Sequence, residues 1–335
     1  MYKQLDFLAV GDITTDAFIH LKEPSAHCDI DHGNMELCMN FGDKIPYDFV
    51  EVIRAVGNSP NAAVSAARLG LKSGLVANLG DDQNGKECVD VLKNEKVSTD
   101  FVKQHEGKET NYHYVLWFES DRTILVKHHE YDYKFPDVGE PKWIYLSSIG
   151  GGTEKYHDEI ADYLEKHPSV KLCFQPGTFQ IKIGAERLSK IYKNAELVAV
   201  NKFEAGKILG KENGDKTEIS ELLKGIAALG PKTVLITDGP KGAYYFDSRS
   251  GETLFSPPYP DPKPPYDRTG AGDAYTSTFV SILALGKSPE EALRNAGVNS
   301  MSVVQQIGAQ RGLLSQKEIE KYLASAPENY RASTL

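Results

Sequence analysis

Cysteine is scarce: four in 335 residues, Cys28, Cys38, Cys88 and Cys173, with no C-x-x-C pair among them. That excludes a disulfide framework and points to a reducing compartment. Long apolar runs are also missing, and nothing approaches the roughly 18 uncharged apolar residues of a membrane helix. The first six residues lack the basic and apolar regions of a secretory signal, so the expectation is a cytoplasmic protein with no membrane partner. Positive charge is in deficit: 38 Lys+Arg against 47 Asp+Glu leaves a formal net charge of −9. So acidic a chain is not expected to bind nucleic acid. Any phosphate must be held locally, by backbone amides, a helix N-terminus or a metal. No repeat period or low-complexity tract is present.

What is present suits a globular core, with 40% hydrophobic and 25% charged residues. The length allows about two domains, or one large α/β domain with an appendage. Strand-like runs at 7–10, 74–78, 143–146, 170–174, 197–200 and 233–237 alternate with helical patterns at 61–69, 85–93, 154–166, 185–193, 202–209 and 219–229. That alternation predicts βαβ units and a parallel sheet covered on both faces. From 271 the pattern turns helical, at 271–285, 289–304 and 316–324. Gly286 is placed to cap the first of these, and Ser315 with Glu318 forms a capping box for the last.

Two segments break the pattern. Residues 20–56 are rich in His, Asp, Asn and Cys and read as a polar loop. The cluster His27, Cys28, Asp29, Asp31, His32 and Cys38 holds metal-ligand types without the spacing of a structural zinc site. Residues 110–133 hold two β-rich arms around Glu119-Ser120-Asp121, which predicts a hairpin added to the sheet. Tyr112, Tyr114, Leu116 and Phe118 fall on one face of its first arm, and His113, Val115 and Trp117 on the other. Either one face covers a substrate and the other meets a second subunit, or both cover this chain's own core. Arg122 opens the return arm, either gripping an acidic group or standing in solvent.

The most informative segment is Asp267-Arg268-Thr269-Gly270-Ala271-Gly272-Asp273-Ala274-Tyr275, ahead of an apolar helix. Gly270 and Gly272 let successive amides point at one spot, where the helix N-terminus adds positive potential. Gly270, Ala271 and Gly272 thus make an anion hole. Asp273, in the first turn, can take the proton of a hydroxyl that attacks a phosphoryl group. The alternative is an ordinary glycine loop with a first-turn carboxylate. Other phosphate motifs do not fit. Gly286-Lys287-Ser288 has Ser281 where a Walker A loop needs glycine, Gly150-Gly151-Gly152 lacks the dinucleotide spacing, and the protein-kinase signatures are absent.

The segment DRTGAGDAY resembles the C-terminal signature of the PfkB/ribokinase-like family of carbohydrate and nucleoside kinases, with Arg268 where the family usually has Thr. Gly57-Asn58-Ser59-Pro60-Asn61-Ala62-Ala63, running on to Ala67-Arg68-Leu69-Gly70, resembles its N-terminal signature, with Val56 in place of the first glycine. Gly11 to Asp16, Gly80-Asp81-Asp82 with Gly85, Asn201-Lys202-Phe203-Glu204 and Thr237 to Gly242 are similar to further family motifs and follow in family order. The resemblance implies a ribokinase-like (Rossmann-like) α/β fold with a mostly parallel sheet, helices on both faces and a small β-rich lid. The expectation is one domain over 1–335, with a lid from about 17–56 and 110–133.

The resemblance also implies ATP as phosphoryl donor, Mg²⁺ as cofactor, and a small-molecule sugar or nucleoside hydroxyl as acceptor. Asp273 matches the catalytic base, and Asp16, Gly57 and Asn61 match acceptor-binding positions. Asn201 and Glu204 match residues near Mg²⁺, with Glu204 acting through water. Thr237, Gly239 and Gly242 match the nucleotide side. Asp267 marks the place of a monovalent cation such as K⁺ in some members. The leading expectation is ATP-dependent phosphorylation of a primary hydroxyl on a small sugar or sugar acid, in a possible homodimer formed through the lid. The alternatives are a nucleoside kinase of the same fold and a non-catalytic sugar or nucleotide sensor.

Overall fold

Phe7-Leu8-Ala9-Val10 are all buried, and their side chains divide between two cores. Phe7 and Ala9 join one and Leu8 and Val10 the other. Trp143 and Tyr145 oppose Ile144 and Leu146 in the same way, and Leu197 and Ala199 oppose Val198 and Val200. A strand apolar on both faces belongs in the middle of a sheet with helices above and below. The structure, a computed structural model, describes residues 4–22, 25–29, 34–118, 121–211 and 217–335.

The first part of the chain runs β1 (Phe7–Val10), β2 (Thr14–Leu21), β3 (Ser25–Asp29), β4 (Asn34–Cys38), β5 (Tyr47–Val56), α1 (Asn58–Arg68), β6 (Ser73–Gly80), α2 (Gln83–Asn94), β7 (Ser98–His105), β8 (Tyr112–Phe118) and β9 (Asp121–Leu125). Then come β10 (Trp143–Leu146), α3 (Glu154–Lys166), β11 (Lys171–Phe174), α4 (Thr178–Ile183), α5 (Ser189–Asn194), β12 (Ala195–Asn201), α6 (Lys202–Ile208), α7 (Ile219–Ala227) and β13 (Thr233–Thr237). The last part is β14 (Ala243–Asp247), β15 (Thr253–Ser256), α8 (Ala271–Ala284), α9 (Pro289–Val303), α10 (Gln316–Ala324) and β16 (Ser333–Thr334).

Among the described residues the main sheet has the order β16-β15-β14-β13-β12-β11-β10-β1-β6-β7. From β13 to β7 the strands are parallel, and β14, β15 and β16 add an antiparallel edge. Helices α1, α2, α8 and α9 pack on one face and α3, α5, α6 and α7 on the other. The chain leaves β1 toward β6 on one side and returns to β10 on the other. The crevice at the carboxyl ends of β1 and β10 is therefore the place for a ligand.

A second, four-stranded sheet runs β5-β2-β8-β9. β8 and β9 form the expected hairpin, but it joins β2, in parallel, rather than the main sheet. Residues 20–56 are not a polar loop. Most of β5, YDFVEVIRAV, is an edge strand of this sheet, with Val50 and Val52 more exposed than Phe49, Glu51 and Ile53 between and beside them. β3 and β4 pair as a separate ribbon, with Cys28 opposite Met35. The side chains of His27, Cys28 and Asp29, and the whole of Asp31 and His32, lie outside the described residues.

The helix expected at 185–193 is shorter, because Gly184 (φ 92°) breaks the chain between α4 and α5. The C-terminal helices fall where the periodicity put them. Gly286 closes α8 with amide bonds from Gly286 to Leu283 and from Lys287 to Ile282, and Glu318 reciprocates the Ser315 cap of α10. No described helix is long and apolar enough to cross a membrane.

Candidate active site

Helix α8 begins at Gly270, which has φ 79°, a left-handed conformation natural to glycine. The turn before it is tied from inside. Asp267 is fully buried, and its Oδ1 accepts from the Thr269 amide (2.9 Å) and hydroxyl (2.6 Å). Its Oδ2 accepts from the Gly308 amide at 2.8 Å. The amides of Ala271, Gly272 and Asp273 open the helix, and a Cβ on Gly272 would meet nothing within 4 Å. The space above this turn is open to an anion.

Asp273 follows in the first turn and is only 9% exposed. Helix α1 packs beside α8 through small residues, Ala62, Ala63, Ser65 and Ala66, so the start of α1 reaches this carboxylate. Asn58 Nδ2 donates to Asp273 Oδ1 at 2.7 Å and Asn61 Nδ2 to Oδ2 at 2.9 Å. Gln175 Nε2, one residue past the end of β11, donates to Oδ1 at 3.3 Å. Burial pushes the Asp273 carboxyl above its ordinary value, while the three amide donors and the charge of Arg122 pull the other way.

A second polar group lies at the β1–β10 crevice. Asp12, just past β1, accepts from the Gly150 amide (2.7 Å) and the Tyr133 hydroxyl (2.7 Å) and faces His128 Nδ1 at 3.1 Å. The His128 ring lies 5.2 Å from that of His113, whose Nδ1 is 3.4 Å from Asp16 Oδ1. Asp16 sits near the start of β2, in the second sheet, not at a strand's carboxyl end. Its Oδ1 and His113 Nε2 are buried without a hydrogen-bond partner, which is the state expected of groups that wait for a polar ligand. Gly57, with φ 120°, lets the chain turn into α1; a Cβ there would come within 2.9 Å of the Asp12 carbonyl.

On the far side of the turn is a pocket of about 400 Å³, lined by Thr237, Gly239, Gly242, Tyr259, Arg268 and Gly272 among others. Asn201 and Glu204 are joined in the capping box of α6: Asn201 Oδ1 accepts from the Glu204 amide and Glu204 Oε2 from the Asn201 amide, both at 2.8 Å. Burial, joined by the negative charge of Asp273, raises the Glu204 carboxyl against the pull of its Asn201 bonds. Among the described residues no three His, Cys, Asp or Glu side chains are grouped to hold a metal ion.

The structure thus brings Asp273, the Gly270–Gly272 amides and Asn61 together, with Gly57 at the entry to α1 beside Asp12 and Thr237, Gly239 and Gly242 beyond the turn, while Asp16 stands on β2 beside His113. The sequence reading missed Asn58, Gln175, Asp12 and His113 as site residues. Asp12 and Asn58 stand inside motifs already singled out, and Gln175 immediately follows a recognised strand, so carboxyl-end positions were the available signal. Trp117 is buried against His20 and Phe49 of the second sheet and Tyr266 of the loop before α8.

The profile of the pfkB family carbohydrate kinases matches residues 51–316. Ribokinase of Bacillus subtilis is 30% identical over 274 residues, covering 80% of this chain and 87% of that protein. The 5-dehydro-2-deoxygluconokinase of the same organism is 26% identical over 288 residues, covering 80% and 86%. Among solved structures, Arabidopsis thaliana ribokinase complexed with ribose and ATP superposes with a TM-score of 0.77 at 21% identity, over 96% of this chain and 99% of the other. The nucleoside kinase of Methanocaldococcus jannaschii gives 0.74 at 18%, over 97% and 100%. Both share the ribokinase fold. With the match spanning most of its length, the chain belongs to the pfkB family of carbohydrate kinases, phosphotransferases with an alcohol group as acceptor.

Proposed function

We propose that this chain transfers the γ-phosphoryl group of ATP to a primary hydroxyl of a small sugar or sugar acid. The carrying observation is Asp273: a buried carboxylate held by three amide donors between the glycine turn and the unsatisfied pair Asp16–His113. The acceptor's reacting hydroxyl lies against Asp273, which takes its proton as the oxygen attacks phosphorus, leaving a phosphate ester and ADP. Asp16 and His113 hold other hydroxyls of the acceptor. The amides at Gly270 to Asp273 receive the charge that grows on the transferring group. The pocket beside Thr237, Gly239 and Gly242 has room for the nucleoside. Mg²⁺, held through water by Glu204 near Asn201, supplies charge neutralisation on the phosphates when bound.

In this reading Arg122, on β9, is the cation that selects an acidic acceptor. An ATP-consumption panel across sugars, sugar acids, sugar phosphates and nucleosides tests the reading. Turnover confined to nucleosides would sink it in favour of a nucleoside kinase, and no turnover at all would favour a sensor. Arg122→Gln is expected to raise KM for a sugar acid at least tenfold more than for a neutral sugar, as loss of one charge-assisted contact implies. Equal KM changes would place Arg122 outside acceptor recognition. The same panel run with K⁺ replaced by a large organic cation tests a monovalent cation beside Asp267, and unchanged rates would remove it.

The second sheet serves as the lid in this reading, with residues 17–56 and 110–133 as its source. The row Val52, Ala17, Tyr114 and Leu125 crosses all four strands; Ala17 is buried, while Val52, Tyr114 and Leu125 are 37%, 50% and 52% exposed. These three exposed apolar side chains support a homodimer through the lid. Sedimentation should give a dimer that Tyr114→Glu with Leu125→Glu converts to monomer. A wild-type monomer at micromolar concentration would contradict it.

A further inference from the structure

Three consecutive residues near the C-terminal end of the fold touch three parts of the site. The Gly308 amide binds Asp267. Ala309 lies where a Cβ on Gly270 would go, 2.2 Å from that position. Gln310, buried, donates from Nε2 to the Ala55 carbonyl at 2.7 Å and to Asn61 Oδ1 at 2.9 Å. The backbone around it is clamped by Arg68, whose Nη1 donates to the carbonyls of Gln310 (2.7 Å) and Leu313 (2.9 Å) while its guanidinium pairs with Glu95.

An asparagine amide can face a carboxylate two ways. With its N–H₂ toward the carboxylate it donates; turned over, it sets an oxygen against two others. Gln310 takes up the Asn61 oxygen, so the nitrogen is the group left to face Asp273 Oδ2. We propose that Gln310 is a positioning residue, which fixes the amide of Asn61 so that it donates to Asp273. The proposal rests on Asp273 as the base. It adds that the base is oriented from a loop which also braces the anion hole.

The groups that bear on Asp273 besides Asn61 are Asn58 on α1, Gln175 after β11, Arg122 on β9, Glu204 on α6 and Tyr145 on β10. Gln310→Met keeps the length and removes the amide. Gln310→Glu keeps the shape and offers only acceptors at neutral pH, which draws the Asn61 nitrogen away from Asp273. The assay uses the full chain, ATP and the fastest acceptor of the panel. Gln310→Met should lower kcat by about 10-fold, the size of one lost hydrogen bond to a charged group, with KM for ATP unchanged. Gln310→Glu should lower it further. In both, the acid limb of the kcat profile should move to higher pH, because the base has lost a donor.

The deciding measurement is a cycle with Asn61→Ala. If Gln310 acts through Asn61, adding Gln310→Met to Asn61→Ala costs nothing more. Equal losses in both backgrounds, or an unmoved acid limb, would overturn the proposal. Should Gln310→Met fail to fold, the cycle is run with Gln310→Glu. Asp273→Asn separates the two readings: if that variant stays active, the base assignment falls and this proposal with it. If it is inactive while the cycle is additive, the positioning role alone is wrong.

Discussion

Asp273→Asn is expected to lower turnover by about 10² or more, the usual contribution of a positioned general base, with nucleotide binding largely kept. The asparagine keeps the shape and loses the proton acceptor. It also meets three amide donors with a single oxygen, so either Asn61 loses its partner or both Asn58 and Gln175 do. That costs about 1–3 kcal/mol of stability, which a thermal melt separates from the chemical loss. The wild-type pH profile carries the same assignment. Burial raises the carboxyl's pKa above the ordinary 3.8. The base works ionised, so turnover falls as pH drops through that raised value and is full above it. The variant should lack this limb. Near-normal turnover in Asp273→Asn would remove Asp273 from the role.

Gly270→Ala should be nearly as damaging, for a steric reason. At φ 79° an alanine costs about 1–2 kcal/mol, and its methyl would overlap Ala309 at 2.2 Å. The turn or the 308–310 loop must then shift. A displacement of about 1 Å at reacting groups is worth on the order of 10² in rate. The variant should therefore show a lower melting temperature and a kcat reduced by about that factor. Gly272→Ala is the contrast in stability alone, since open space surrounds the position and φ is not left-handed, although its methyl enters the space assigned to the anion. An equal fall in melting temperature in the two variants would mean that the Gly270 backbone is not what shapes the turn.

How legible these features were in the sequence follows from where the information resides. β1, β10 and β13 could be read to the residue because burial on both faces leaves continuous apolar runs. β5 could not. Its polar residues Asp48, Glu51 and Arg54 recur every three positions, so no period-two pattern marks it, and pairing with β2 is what makes it a strand. The glycine turn with Asp273 was legible because backbone geometry is local. The donors to that carboxylate were not: Asn58 is 215 positions away, Gln175 is 98, and Gln310 lies 249 beyond Asn61. Only packing of α1 on α8 brings them together. Asn201 and Glu204 had a helix-capping role that was equally readable from their spacing of three, and the structure has them in it.

The packing of α1 against α8 has a consequence for how the molecule comes into being. A crevice assembled from segments more than 200 positions apart has high contact order, so its loop-closure entropy is overcome late in folding. A growing chain that has made α1 and the central strands holds Asn58 and Asn61 but neither Asp273 nor the glycine turn before it. A ligand gripped by Asp16 and Asp273 together then joins an early segment to a late one. It binds the finished fold and not the partly folded chain, and mass action makes it a stabiliser of the whole molecule.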